Sequence, residues 1–481
     1  MNGRVVARLA APLLALVAAT MIAPLALALY DGQPRSAIAY LSSALAGGLV
    51  ALLLRQLGRK QSDEIHRKDA IGVVALIWAL MSIFGALPFL LEGSLPDPAS
   101  ALFEAVSGFT TAGGSVAANV EDFSRATNFW RCEMHLIGGM GIVVLFVAVF
   151  PQLGVGAKQL FRNEVSGPTS EGMRPRIKQT AVALWWLYGG LTTLCAVLLA
   201  AAGMPVFDAI CHAMSTLGSG GFSTKAASIG YYQSPTIDWI TSAFMLIAAL
   251  NFGLYYAAAR GRWRELFTDP EARFYIGVNA VVILIIAGSI WSRHPSVGEA
   301  LRYATFHTLS LTSSTGFMIE DYDSWPNVCR YLLFLSMFMG GCAGSTAGGI
   351  KAVRVFVVLK VIARELRSLA APNVVATVKL GKTSIPPGVI SGVMVFVATY
   401  LLIFAGTSLL LVALDVELVA AMSGTVACLS NVGPGLDALG PAQNYGGVPA
   451  LGKLALSGCM IAGRLEVFVL LSIFSRELWR R

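Results

Sequence analysis

FTTAGGS at residues 109–115 is the first of four stretches of one kind, followed by MSTLGSGGFS at 214–223, LSLTSSTGFM at 309–318 and CLSNVGPG at 428–435. Each stretch is rich in hydroxyl groups and glycine, follows an amphipathic segment and lies between two long apolar runs. With Gly113, Gly220, Gly316 and Gly433 as anchors, successive stretches are 107, 96 and 117 residues apart, so one large unit is used four times. Glycine reaches backbone conformations that other residues adopt only at a cost. A strip that turns its carbonyl oxygens toward an axis needs such conformations, and four strips around one axis can replace the hydration shell of an ion.

The 481 residues are 56% hydrophobic and only 13% charged, with a mean hydropathy of +0.69. That leaves too little polar surface for a soluble globule and predicts an all-α integral membrane protein, since about twenty apolar residues cross a bilayer core. Spanning helices are expected near 9–30, 36–54, 70–91, 128–150, 181–202, 236–259, 274–292, 327–350, 389–412 and 452–475. The apolar run from Leu9 to Tyr30 is longer than the core of a usual signal peptide and is read as the first span. The seven cysteines are scattered without a CxxC pair and read as small apolar packing residues.

A formal net charge of +8 would suggest a nucleic-acid partner in a soluble protein, so the placement of the basic residues matters. Most of the 35 fall on one side of the predicted spans, in Arg4 and Arg8, Arg55 to Lys68, Lys158 to Lys178, Arg260 to Arg273, Lys351 to Lys382 and Arg476 to Arg481. By the positive-inside rule that side is cytoplasmic, which puts both termini inside and opens all four strips to the outside. The expected organisation is two N-terminal spans and a linker over 1–68, then four units over 69–156, 157–265, 266–370 and 371–481.

Within each unit a spanning helix precedes a shorter, more polar segment, the glycine strip and a second spanning helix. The short segments, near 98–109, 206–215, 298–310 and 416–428, cannot cross a bilayer and read as re-entrant half-helices. Their C-termini face the strips and carry roughly half a negative charge each, which favours a cation. The expected ion-binding residues are the four ending at each anchor: Thr110, Thr111, Ala112 and Gly113; Leu217, Gly218, Ser219 and Gly220; Ser313, Ser314, Thr315 and Gly316; Ser430, Asn431, Val432 and Gly433. Side chains at matched positions differ strongly, which points to main-chain carbonyls, and the strips lack the acidic ring of a divalent-cation filter.

Two more features stand out. The small residues from Gly340 to Lys351 interrupt an apolar run, and either a broken helix or close helix packing accounts for them. Arg464 sits inside the last apolar helix, where a charge needs a partner, such as Glu466 or another helix, or a water-filled path. Glu104, Asp208, His212 and His307 fall on the half-helices and are expected to satisfy backbone groups or the outer mouth, with Lys225 in the outer vestibule.

The strips TTAGG, GSGGFST, SSTGF and SNVGPG, with GGCAGSTAGGIK at 340–351 and GRLE at 463–466, resemble the membrane subunits of bacterial Trk potassium-uptake systems, the TrkH family, within the superfamily that includes Ktr and plant HKT transporters. The resemblance runs from about Asp69 to the end, and the two additional N-terminal helices are similar to TrkH and unlike the shorter Ktr subunit. It implies one pseudo-fourfold pore per chain, K+ as the transported ion, a homodimer in the bacterial inner membrane and control by a cytosolic nucleotide-binding ring, TrkA. It also implies a gate formed by an intramembrane loop of Gly341, Cys342, Ala343, Gly344, Ser345, Thr346, Ala347, Gly348 and Gly349, with Arg464 beside it. Ala347 departs from the glycine many relatives carry, and Ala112 from their threonine. Glycine at all four anchors favours potassium over sodium.

Other classes have less in the sequence to support them. A lipid-modifying membrane enzyme would need catalytic spacing that the five histidines do not show. A sodium-coupled or less selective transporter shares the same architecture, and a receptor that moves no ion would leave four strips unexplained. The chain carries no GxGxxG or Walker motif, so nucleotide control would have to come from a partner docking on the basic segments Arg260 to Arg273 and Lys351 to Lys382.

Overall fold

The computed structural model describes residues 2–58, 67–148, 173–371, 377–381 and 383–467. Arg59, Lys60, Lys158, Arg162, Lys382, Arg476, Arg480 and Arg481 lie outside the described residues, as does the stretch 468–475 expected to finish the last span. Among the described residues six helices are long and apolar enough to cross a membrane, and a sharply bent pair makes a seventh.

The N-terminal hairpin consists of α1 (Gly3–Thr20), α2 (Ile22–Tyr30) and α3 (Pro34–Leu57), with α1 and α2 forming one span interrupted at Met21. It packs on the first helix of unit one, α4 (Arg67–Glu92). Unit one continues with half-helix α5 (Pro98–Thr110) and α6 (Arg125–Ala148). Unit two comprises α7 (Met173–Ala201), half-helix α8 (Val206–Gly218), α9 (Pro235–Ala249) and α10 (Phe252–Ala259). After a short α11 (Arg264–Thr268), unit three runs through α12 (Pro270–Ile290), half-helix α13 (Val297–Thr312), α14 (Asn327–Met339) and α15 (Ala352–Ala370). Unit four contains α16 (Pro387–Ala413), half-helix α17 (Leu418–Leu429) and α18 (Ala450–Arg464). A small antiparallel hairpin before α16 pairs Lys379 with Ser384 and Leu380 with Thr383.

Two of the four half-helices, α5 and α13, begin at a side-chain cap. Asp97 accepts from the Ser100 amide at 2.9 Å ahead of Pro98, whose fixed φ suits a first helical position. Ser296 caps α13 in the same way through the Glu299 amide at 3.2 Å.

Packing closes the four units into a ring. Each half-helix contacts the two long helices of its own unit and the second helix of the unit before it: α8 on α6, α13 on α9, α17 on α14, and α5 on α18. The last contact joins unit four to unit one and makes the arrangement pseudo-fourfold. Glycines allow the approach, since a Cβ at Gly138 would strike the Phe109 carbonyl and one at Gly463 the Leu429 carbonyl. The outer faces of the spans leave Leu45, Leu284 and Leu402 exposed, which suits helices whose solvent is lipid.

Three expected spans are broken, and the last of them, predicted over 452–475, leaves the helical path after Arg464, where Glu466 takes a φ of 54°. The helix predicted over 236–259 bends by 93° between α9 and α10. There the Ala249 carbonyl accepts from the Cys342 amide at 2.8 Å and the Ala248 carbonyl from the Thr346 hydroxyl at 3.2 Å, while Asn251 caps α10 through Gly253 at 2.7 Å. The carbonyls that would have continued the helix are taken by another unit. The helix predicted over 327–350 stops at Met339, where Gly340 takes a φ of 65° and the small residues leave the helical path. The structure therefore selects the broken helix over close packing. The amphipathic α15 that follows is not among the helices the hydropathy pattern predicts.

Candidate functional site

All four half-helices end in the same motif. Thr111, Ser219, Ser314 and Asn431 adopt left-handed φ values of 55°, 55°, 54° and 55°. The amide of each bonds back to Gly108, Thr216, Leu311 or Cys428, and the next amide (Ala112, Gly220, Thr315, Val432) to Ser107, Ser215, Ser310 or Ala427. This is a Schellman-type end, usually built on glycine, executed here with side chains that carry hydrogen-bonding groups.

Two residues further on, Gly113, Gly221, Gly316 and Gly433 take φ of 76°, 78°, 82° and 98°. The anchor of unit two is thus Gly221, not Gly220, and its matched strip is Gly218 to Gly221. Leu217 falls in the last turn of α8, buried among apolar side chains. GSGG offers two adjacent glycines, and spacing alone cannot choose between them; backbone conformation does.

The strips touch one another in a closed circuit. A Cβ at Gly113 would strike the Gly220 carbonyl oxygen, one at Gly221 that of Thr315, and one at Gly316 that of Val432. A Cβ at Gly433 would lie 2.6 Å from the Ala112 carbonyl oxygen, which returns the circuit to unit one. Carbonyls of a single level, from Ala112, Gly220, Thr315 and Val432, are thereby brought together by glycines that leave no room for a side chain.

Behind the strips, the corrected register aligns Glu104, His212 and His307, each nine residues before its anchor glycine. All three tie a half-helix to the segment leaving its strip. Glu104 accepts from the Val116 amide and the Ser115 hydroxyl, both at 2.9 Å; His212 lies 2.9 Å from the Ser223 hydroxyl; His307 lies 2.9 Å from the Glu320 carbonyl. In unit four Ser423 does this by accepting from the Leu436 amide at 2.9 Å. Asp208 accepts from the Thr224 hydroxyl at 2.7 Å. Lys225 is half-buried with its ammonium 4.6 Å from the Tyr231 ring.

Sequence reasoning missed Arg131, a residue wholly inside the protein. Its Nε donates to Glu104 at 2.8 Å and its Nη1 to the Ser223 carbonyl at 3.1 Å, so it joins unit one to the strip exit of unit two. An arginine inside an apolar helix, matched with a carboxylate in the preceding half-helix, was the available signal. Tyr445, which donates to the Gly433 carbonyl at 2.7 Å, and Tyr400, 2.5 Å from the Ser430 hydroxyl, carried no such signal.

Beneath the strips lies the loop from Gly340 to Lys351. The Ser219 hydroxyl is 2.8 Å from that of Thr346, and Ser314 accepts from the Gly348 amide at 2.6 Å. A Cβ at Gly348 would strike the Ser430 carbonyl, so strips two, three and four all contact the loop. Arg464, almost fully buried, donates Nη1 to the Thr346 carbonyl at 2.7 Å and Nη2 to the Gly138 carbonyl at 2.9 Å. Lys351 Nζ donates to the Ala347 carbonyl. Glu466, the partner considered for Arg464, pairs instead with Arg354 at 2.6 Å. The loop belongs to unit three in sequence, yet units two and four also hold it, and unit one is tied to it through Arg464.

Spanning helices around four re-entrant half-helices, with a closed circuit of carbonyl-bearing strips, define a membrane transport protein of pseudo-fourfold build. A family model described as TrkH, cation transport protein, matches residues 46–480. Over the full length of both chains, the sequence is 39% identical to a Halomonas elongata protein and 38% identical to one from Escherichia coli strain K12, both named Trk system potassium uptake protein TrkH. The fold is similar, with a TM-score of 0.91, 36% identity and complete coverage of both chains, to the crystal structure of the potassium transporter TrkH from Vibrio parahaemolyticus. The chain belongs to the TrkH family of cation transport proteins.

Proposed function

We propose that this chain is the pore subunit of a bacterial Trk-type system and conducts K+ inward across the inner membrane. The observation that carries the reading is the circuit of glycines, which assembles carbonyls from four equivalent strips at one level. Carbonyl oxygens replace water around a potassium ion without needing matched side chains, which accounts for the variety among Ala112, Gly220, Thr315 and Val432. The filter residues are Thr110 to Gly113, Gly218 to Gly221, Ser313 to Gly316 and Ser430 to Gly433. Relatives named for potassium uptake support the choice of ion.

Gly341 to Gly349 act as the gate, held against the strips by Arg464 from one side and by Ser219 and Ser314 from the other. Both termini lie in the cytoplasm, in keeping with the basic residues of that side. The chain works as a homodimer and opens under a cytosolic TrkA-like ring seated on the basic segments around Arg260 to Arg273 and Lys360 to Arg367, Lys351 being buried in the loop.

The test is rescue of a potassium-uptake-deficient bacterium at low external potassium, with rubidium and sodium flux in vesicles. Growth and rubidium flux well above sodium flux are expected. Failure to pass potassium or rubidium with any cytosolic partner overturns the proposal, and equal sodium flux replaces it with a weakly selective transporter.

A further inference from the structure

One buried carboxylate holds both feet of the loop. Glu271 Oε1 accepts from the Ala343 amide at 2.7 Å, just after the loop begins, and from the Val353 amide at 3.1 Å, in the first turn of α15. The residue is 8% exposed. The first amides of a helix have no intrahelical partner, and a carboxylate placed there satisfies them while facing the positive end of the helix dipole. The feet are also bonded to each other, the Ile350 amide to Phe338 at 3.1 Å and the Ala352 amide to Gly341 at 3.0 Å. The loop therefore has a closed neck, and Glu271 grips that neck from outside the loop.

On its other side Glu271 is bound to a surface element. Asp269 caps α12 through the Ala272 amide at 2.8 Å and directly follows α11; Phe267 within α11 and Trp263 just before it stand exposed, with Arg262 and Arg264 beside them. Only Asp269 and Pro270 separate α11 from the residue that grips the neck. A displacement of α11 must pass through this rigid turn, because Pro270 fixes its own φ and the Asp269 cap holds the first turn of α12. From there it reaches the amides of Ala343 and Val353 directly.

We infer that Glu271 is a positioning residue for the loop, linking the exposed basic α11 segment to the feet of the gate so that movement of α11 opens it. The inference rests on the proposed gating function. It also gives the α11 surface a role in opening, since an anionic face of the proposed cytosolic ring that pulls on the exposed Arg262 and Arg264 acts on the gate through one carboxylate, without touching the pore.

The full chain in vesicles, without a cytosolic protein, tests this. E271A removes both acceptor contacts and is expected to raise basal rubidium flux by about tenfold, the change that about 1.4 kcal/mol produces. E271Q, which keeps an acceptor oxygen of the same reach, gives a rise of roughly twofold to threefold, and E271D, too short to span both amides, falls between. The rubidium-to-sodium ratio stays unchanged in all three. A second readout does not need conduction: in a chain whose other six cysteines are replaced, modification of buried Cys342 by a methanethiosulfonate reagent becomes faster in the same order. Wild-type labelling and wild-type flux in E271A overturn the inference, as does a flux rise accompanied by lost selectivity. Should the unmodified chain pass no rubidium even with a partner, the functional reading fails, while Cys342 labelling still decides whether Glu271 holds the loop. If E271A does not fold, E271Q and E271D carry the same comparison.

Discussion

The Arg464 guanidinium donates to the Thr346 carbonyl at 2.7 Å, so a charge buried in the last helix closes onto the middle of a loop from the preceding unit. Its second bond, to Gly138, extends the brace to unit one. A hydrogen bond from a charged group is worth about 1.5–3 kcal/mol, and every 1.4 kcal/mol is tenfold in an equilibrium. Arg464→Ala should therefore raise partner-free rubidium flux by about tenfold to a hundredfold. Arg464→Lys, able to keep one contact, should give a smaller rise. Unchanged flux in Arg464→Ala would show that the loop does not obstruct the path.

The two side-chain contacts from strips to loop come from residues in left-handed backbone positions. Ser219 and Ser314 each place a hydroxyl on the loop, and an ordinary hydrogen bond contributes about 0.5–1.5 kcal/mol. Replacing both by alanine should raise basal flux roughly tenfold with no change in the rubidium-to-sodium ratio. A change in that ratio would mean that these side chains shape the ion site itself.

The register of unit two is open to a direct test. Gly221→Ala places a methyl group against the Thr315 carbonyl at a φ of 78°, whereas Gly220→Ala meets the ring of His135. Adding His135→Ala should restore at least half the selectivity lost in Gly220→Ala and none of that lost in Gly221→Ala, because a carbonyl cannot be trimmed away. Gly316→Ser, directed at the Val432 carbonyl, should raise sodium permeability relative to potassium. Flux ratios in vesicles decide all four comparisons.

Glu104 and Arg131 form an ion pair at 2.8 Å with side chains 0% and 1% exposed. Removing one member of such a pair leaves an uncompensated charge and typically costs about 3–5 kcal/mol. Glu104→Ala should lower the thermal stability of the detergent-solubilised protein markedly. Glu104→Gln combined with Arg131→Met should cost less than the two single changes added together. Strict additivity would show that the two side chains do not act as a pair.

Much of the architecture was legible in the sequence because it depends on composition and periodicity. Apolar runs of bilayer length, four strips at similar spacing and half-helices too short to cross all follow from what lipid permits a backbone to do. Glu104, His212 and His307 were visible as polar residues on half-helices, but their equivalence was hidden while Gly220 stood for Gly221. The bend between α9 and α10 was not legible, because its cause is a loop about ninety residues later taking the carbonyls of Ala248 and Ala249.

Hydropathy and glycine placement are local properties, read one residue at a time, and they were enough to specify a membrane protein of four repeated re-entrant units. Packing chose which glycine of GSGG anchors strip two, paired Glu466 with Arg354 so that Arg464 was left to the loop, and set Glu271 on both feet of that loop. The physical reason is that carbonyls, amides and charges buried far apart in sequence must satisfy one another, and the choice of partner depends on which of them the packed helices bring within about 3 Å.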